Sequence, residues 1–430
     1  MARYPSCQPT NIPGLPELPV GWEVKRFKNL FSTCTGITFT KADLTEDGAP
    51  VLSYGQIHSK DNFCVGVNRK LIRHIPAALA AEKALAYKGD FLFADTSEDL
   101  EGCGNCICLD TDEPIYAGSH VVLARKRHEQ IGRFLAYEFT SVGWRKQLRK
   151  LVNGVKVYSV TQNILNSVLV WLPPLSVQER IVAYLDKQTA KVDALIKAKT
   201  EQMALLKELR ERTIADAVTR GLPGEHTSFQ STNIPWLSEI PVSWEMKKVR
   251  QHFRLRSQKV SEKDYPALSV AKVGVVPQLD DVAISLAEGD SRKLVRRGDF
   301  VVNSRSDRKG SCGIAPRDGS VTTISIVLEP HAITHAYVHY LFRSIPWVEE
   351  FYRNGRGIVA DLWTTRYQEM RNMLFPYPPL SEQERIVTYL DKQTAKIDKA
   401  VALLASGIEH LKAYRERLIA DVVTGQQKVE

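Results

Sequence analysis

No stretch of about 18 consecutive apolar residues occurs in this 430-residue chain, so a transmembrane helix is not expected. The first 22 residues are rich in proline and lack an apolar h-region, which argues against a secretory signal. Cysteine is sparse and odd in number, at seven, and without an export signal the expectation is reduced thiols in a cytoplasm. The chain has no G-x-x-x-x-G-K-[ST] loop, no Gly-rich dinucleotide fingerprint and no G-x-S-x-G elbow. These absences leave no motif for nucleotide hydrolysis, dinucleotide chemistry or serine hydrolysis. Hydrophobic residues at 43% and charged residues at 25% are ordinary globular values, which excludes wholesale disorder. The length leaves room for about three units, each with its own core.

The strongest positive feature is self-similarity. PLSVQERIVAYLDKQTAKVD (174–193) recurs as PLSEQERIVTYLDKQTAKID (379–398), with 17 of 20 positions identical. NIPGLPELPVGWEVKRF (11–27) recurs as NIPWLSEIPVSWEMKKV (233–249), and Lys88-Gly89-Asp90-Phe91 is echoed by Arg297-Gly298-Asp299-Phe300. The order is therefore head, helix, head, helix, with boundaries 1–172, 173–220, 221–377 and 378–425. Charge follows that division. Residues 1–174 hold 20 basic and 17 acidic groups, and residues 220–379 hold 22 and 17. The helical pieces are nearly balanced, so the basic surplus sits on the heads, as a polyanion-binding protein would have it.

Both helical repeats follow a proline pair, Pro173-Pro174 and Pro378-Pro379, and both open S-x-x-E, at Ser176/Glu179 and Ser381/Glu384. That spacing predicts a capping box. Apolar residues then recur at three- and four-residue spacing. The first seam is Ile181, Leu185, Val192, Leu195, Leu206 and Leu209; the second is Ile386, Leu390, Ile397, Leu404, Leu411 and Leu418. Gly221 and Gly425 stand where C′ glycines end helices. A helix of about 44 residues, roughly 65 Å long, cannot bury its seam alone, and the other copy is the simplest partner. Heads at opposite ends require the helices to run antiparallel, with an approximate internal two-fold. The fold class expected is α+β: two αβ heads separated by two long helices in an antiparallel coiled coil.

The heads carry local basic clusters. In the first, Arg145, Lys146, Arg149 and Lys150 run into a glycine loop with Asn153, Lys156 and Tyr158. In the second, Asn303, Arg305, Arg308 and Lys309 form one cluster and Arg353, Asn354 and Arg356 another. Such loops suit approach to phosphates, and Arg and Asn could read guanine and adenine edges. A solvated loop is the alternative for each. Cys103-x-x-Cys106-x-Cys108 has metal-like spacing, with Cys64 or His120 as remote partners, and His331, His335 and His339 repeat at i, i+4, i+8. Neither set is complete, and no metal is assigned.

The duplicated PPLSxQERIVxYLDKQTAKxD, the two lead-ins Ile12-Pro13 to Trp22-Glu23 and Ile234-Pro235 to Trp244-Glu245, and the PPLSEQERI stretch at 378–386 together resemble the specificity subunit of type I restriction-modification systems. The resemblance implies two target recognition domains, each reading half of a split sequence in double-stranded DNA. It implies a helical spacer that binds two methyltransferase subunits, with restriction-motor subunits joining through them, and no membrane. It further implies a non-catalytic chain without its own cofactor, S-adenosylmethionine, ATP and magnesium belonging to the partners. A four-residue insertion after Lys199 should then change the unread gap and leave both half-sites intact. A coiled-coil scaffold with two protein-binding heads is the alternative reading.

Overall fold

The computed structural model describes the chain except residues 1, 2, 63, 129–131, 155, 279–290, 358–362 and 430. Val155 of the first glycine loop thus lies outside the described residues. Two units emerge: Met1–Lys199 with Gly407–Glu430, and Thr200–Ser406. Each therefore contains one head, the adjoining half of one long helix and half of the other.

In the first unit, a four-stranded antiparallel sheet runs in the order Cys106–Cys108, Phe91–Ala94, Val121–Lys126, Phe31–Thr35. Both its faces are covered, so the strand FLFA is apolar without alternation. The pleat still sorts its side chains: Phe91 and Phe93 join Phe27, Phe139 and Trp144 in one core, while Leu92 and Ala94 join Val51, Ile75 and Ile115 in another. Helices Gly132–Thr140 and Val142–Leu151 bring Phe139 and Trp144 to the first of these cores.

The second unit repeats the plan. Its sheet order is Phe253–Leu255, Ser325–Pro330, Phe300–Asn303, Cys312–Ile314. Phe300 and Val302 face Trp347 and Phe342, whereas Val301 faces Val295 and Val327. The tryptophan lead-ins close each head in the same way. Glu23–Arg26 pairs with Leu169–Leu172, and Glu245–Lys248 pairs with Leu374–Tyr377. Each pairing delivers the chain to its proline pair and long helix.

The long helices are Leu175–Arg220 and Leu380–Val423. Leu175 and Leu380 are already helical, so Ser176 and Ser381 lie inside the first turn and the expected capping box does not form. The reach-back is made by glutamines: Gln178 Nε2 donates to Pro173 O (2.8 Å) and Gln383 Nε2 to Pro378 O (2.9 Å). Gly221 follows the first helix at φ +83°, where a Cβ would lie 2.5 Å from His226, so glycine suits both backbone and packing.

Within each unit the helix halves run antiparallel. Asp193 pairs with Arg415 at 2.9 Å in the first unit, and Arg210 with Asp398 at 2.9 Å in the second. These are the same contact, each residue displaced by the 205-position repeat. Ile181, Leu185, Val192, Ile386, Leu390, Ile397 and Leu418 are buried, Ile181, Leu185 and Leu418 in the core of the first head and Ile386 and Leu390 in that of the second. Leu206, Leu404 and Leu411 are half-buried. Leu195 and Leu209 are not in the seam: they are 52% and 50% exposed. The half-buried Ile196, Met203 and Arg210 take the inward places, because a helix of 3.6 residues per turn carries a residue one position away round to the outer face.

Tyrosines fasten each head to its own helix. Tyr137 donates to Asp186 Oδ1 at 2.6 Å with Thr189 Oγ1 at 3.3 Å, and Tyr340 donates to Asp391 Oδ1 at 2.6 Å with Thr394 Oγ1 at 3.5 Å. The far end of the opposite helix completes each core: Ile419, Val422 and Val423 in the first unit, Ile214, Ala217 and Val218 in the second.

Candidate nucleic-acid interface

The Lys-Gly-Asp-Phe echo identifies equivalent loops. In the first head the strand Phe91–Ala94 leads into Asp95–Asn105, and Thr96-Ser97 pairs with Tyr158-Ser159. In the second the strand Phe300–Asn303 leads into Ser304–Ser311, and Arg305 bridges to Thr364. Each loop is thus braced by the segment that follows a paired helix, Val142–Leu151 in the first head and Ile345–Arg353 in the second.

In the second head this bracing unites both basic clusters. Tyr352 O–H donates to Asn303 O at 2.9 Å and also lies 3.2 Å from Arg308 O. Arg356 and Arg305 both bridge to Thr364. Arg305 pairs with Asp307 (3.2 Å), Lys309 with Glu349 (2.6 Å) and Arg353 with Glu350 (3.5 Å). Asn354 Nδ2 donates to Glu350 O, and Arg356 lies 3.8 Å from Glu369. Arg308 and Arg356 remain largely in solvent. Asn303 Oδ1 accepts from Arg305 N–H, which shapes the loop. Ser304, Arg305, Lys293, Thr364, Arg366 and Tyr367 line a cleft of about 390 Å³ beside the cluster.

In the first head the basic helix divides by face. Trp144 and Leu148 bury its inner stripe, with Ser141 Oγ accepting from Trp144 N–H at the N-terminus. Lys146 and Lys150 are exposed, as are Asn153 and Lys156 in the glycine loop. Arg145 and Arg149 turn inward. Arg145 Nε donates to Phe139 O (3.1 Å), and Arg149 Nη2 donates to Glu101 O (2.9 Å), which pins the Asp95–Asn105 loop. Tyr158 is half-buried in its short ladder. The cleft bordered by this loop, about 750 Å³, is lined by Tyr54, His58, Glu98, Glu101, His120 and Arg145 among others. His58 Nε2 lies 2.7 Å from Thr96 O and its Nδ1 lies 3.0 Å from Asn105 Nδ2.

Sequence reasoning named the basic helix and missed the cleft residues Tyr54, His58 and His120. The signal for them was indirect: aligning the Lys-Gly-Asp-Phe echo sets Thr96 over Arg305 and marks Asp95–Asn105 as the matching loop.

The histidine triple does not share one helix, because His331 precedes the helix His335–Leu341. His339 is held neutral, its pKa lowered to about 4 by burial and by Arg343. Among the described residues, only Glu225, His226 and Glu382 converge as a group of His, Cys, Asp or Glu ligand atoms. Arg385 already pairs with Glu225 (3.1 Å), and His226 with Glu382 (2.6 Å). No described helix is long and apolar enough to cross a membrane.

Residues 19–204 match the family model of the type I restriction modification DNA specificity domain. That stretch is similar to the domain over the first head and the start of the first long helix. The chain's fold extends over nearly the whole length of two solved structures. One, reported under the assembly and conformational transition of the type I R-M system, superposes with a TM-score of 0.71 at 19% identity, covering 95% of this chain and 99% of the other. The HsdS subunit from Thermoanaerobacter tengcongensis superposes with a TM-score of 0.53 at 19% identity, covering 96% and 99%. Among curated proteins, none matches.

Proposed function

We propose that each head of this specificity chain reads one half of a bipartite target in double-stranded DNA, using the paired loops Asp95–Asn105 and Ser304–Ser311. The observation that carries this reading is the equivalence of the loops. One position in the fold, braced in one way, is occupied twice by unrelated polar sequences. Ser304–Ser311 offers Arg305, Arg308 and Lys309, donors suited to guanine O6 and N7 and to phosphates. Asp95–Asn105 offers Glu98, Asp99 and Glu101, acceptors suited to the exocyclic amine of cytosine. Lys146, Lys150 and Lys156 supply the first head's phosphate contacts.

In this reading the chain is non-catalytic and works in the cytoplasm. The outward faces of the helices dock two methyltransferase subunits, and restriction-motor subunits join through them. S-adenosylmethionine, ATP and magnesium are held by those partners. Base-resolved methylome sequencing of the host, with and without this gene, tests the reading. The expected outcome is loss of one bipartite methylated motif on deletion. An unchanged methylome in cells where the methyltransferase subunit co-purifies with this chain would refute it. Salt-insensitive binding of a protein partner by isolated full-length chain would favour the scaffold reading instead.

A further inference from the structure

Four of the seven cysteines lie in the first head and are buried: Cys64, Cys103, Cys106 and Cys108. Two of them meet. Cys64 Sγ lies 3.4 Å from Cys106 Sγ and donates to Cys106 O at 2.9 Å. Main-chain and side-chain bonds fix that approach. Cys108 N–H donates to Cys64 O (3.0 Å), Asn62 Oδ1 accepts from Cys64 N–H (2.8 Å), and Asn62 Nδ2 donates to Cys106 O (3.1 Å). Cys64 itself sits at φ +64°, a left-handed conformation that a cysteine adopts only when its surroundings impose it. Cys103 does not join them: its Sγ faces Asp99 O at 3.7 Å. The four do not converge as a metal-ligand group.

We propose that Cys64 and Cys106 are an oxidative modification site, a dithiol that a hydroperoxide converts to a disulfide. Closing it needs the sulfurs to move from 3.4 Å to about 2.05 Å, while the backbones are already adjacent. The two thiols are unlike. The Cys106 hydrogen bond and the nearby Arg145 guanidinium pull Cys64 below the usual thiol range, whereas burial pushes Cys106 well up. Cys64 is taken as the attacking thiolate and Cys106 as the resolving thiol, and attack in either order gives the same disulfide. Cys64 Sγ attacks one peroxide oxygen and the O–O bond breaks. The other oxygen leaves as hydroxide (or alkoxide) and takes a proton to become water (or an alcohol). Cys106 Sγ then attacks Cys64 Sγ, the S–O bond breaks, and the hydroxyl leaves as water with the Cys106 proton. Two electrons pass from the thiols to the peroxide. The product pins Cys64 to the edge strand Cys106–Cys108.

The test treats the full-length protein with hydrogen peroxide, unfolds it in acid, labels free thiols with a maleimide and maps the peptides. The expected result is five labelled cysteines instead of seven, a Cys64–Cys106 cross-linked peptide, and full reversal by dithiothreitol. Cys64 should lose label roughly tenfold faster than Cys312, which lies in the other head without a thiol partner. Cys64→Ser and Cys106→Ser should each abolish the protected pair, and Cys103→Ser should keep it. Should a variant fail to fold, the wild-type peptide map decides alone. Seven labelled cysteines after peroxide, a pair that includes Cys103 or Cys108, or stoichiometric zinc protecting the thiols would each overturn the proposal.

Discussion

The loop Asp95–Asn105 and the loop Ser304–Ser311 leave equivalent strands of equivalent sheets, yet their charges are opposite. The first carries Asp95, Glu98, Asp99 and Glu101 without a lysine or arginine; the second carries Arg305, Arg308 and Lys309 against one Asp307. The framework around them is the same. Phe91 and Phe93 correspond to Phe300 and Val302 on the helix-facing side of the sheet, and Tyr137 and Tyr340 make the same bond to the long helix. Packing constrains the framework, because a buried side chain must match its neighbours in volume. A solvated loop tip carries no such constraint and is free to vary in charge.

A second difference lies inside the framework. Glu138 is fully buried in the first head, accepting a hydrogen bond from Trp171 N–H at 3.0 Å; the matching residue of the second head is Leu341, also buried. Burial pushes the Glu138 carboxyl well above the usual range. One head thus tolerates an acid where its copy has a hydrocarbon, provided the acid stays protonated.

The largest expected effect sharpens the contrast between buried and outward positions on one helix. Leu185→Ala should lower stability by about 2–5 kcal/mol, and Leu195→Ala should change it by less than about 0.5 kcal/mol. Equal losses in a denaturant titration would mean that Leu195 is in the seam after all.

Next comes the charge contrast. Replacing Arg305, Arg308 and Lys309 together by alanine should flatten the slope of log K against log salt for target DNA by about 1–3. Glu98→Gln with Asp99→Asn and Glu101→Gln should leave that slope as it is and relax base preference in the other half-site. If both triple variants shift the slope alike, the two loops do not divide the work.

A pH-dependent contrast comes from Glu138→Leu, which gives the first head its copy's residue. Above the ordinary carboxyl pKa the unfolded chain ionises while folded Glu138 keeps its proton. The wild type then loses stability by at most about 1.4 kcal/mol per pH unit until the folded carboxyl itself titrates. The variant's advantage in urea should therefore grow between pH 5 and pH 8. An advantage that shrinks over that window would show that the native acid is ionised.

Much of this could be read from the residues in order. The duplication, the helix lengths, the proline starts and the glycine at 221 were legible because each depends on local chemistry: periodicity, missing N–H groups, positive φ. The seam was only partly so. Leu195 and Leu209 have the right residue type, but the choice between them and Ile196 or Arg210 depends on helix phase, which the partner helix settles. The capping box failed similarly, since S-x-x-E fits a cap only if the helix begins at the serine, and the strands beside each proline pair start it earlier.

Sequence alone therefore determined the repeat, the class of each element and the basic character of the heads, all of which arise from short-range rules. Tertiary structure decided what lies far apart in the chain but close in space. It joined Asn303–Lys309 to Tyr352–Arg356 through Thr364, turned Arg145 and Arg149 inward, and set Cys64 against Cys106. Apart from the local Arg145–Phe139 and Arg356–Thr364 contacts, those juxtapositions arise because sheet order and helix packing bring together segments separated by about 40 residues or more, and no periodicity in the chain encodes which side chains then touch.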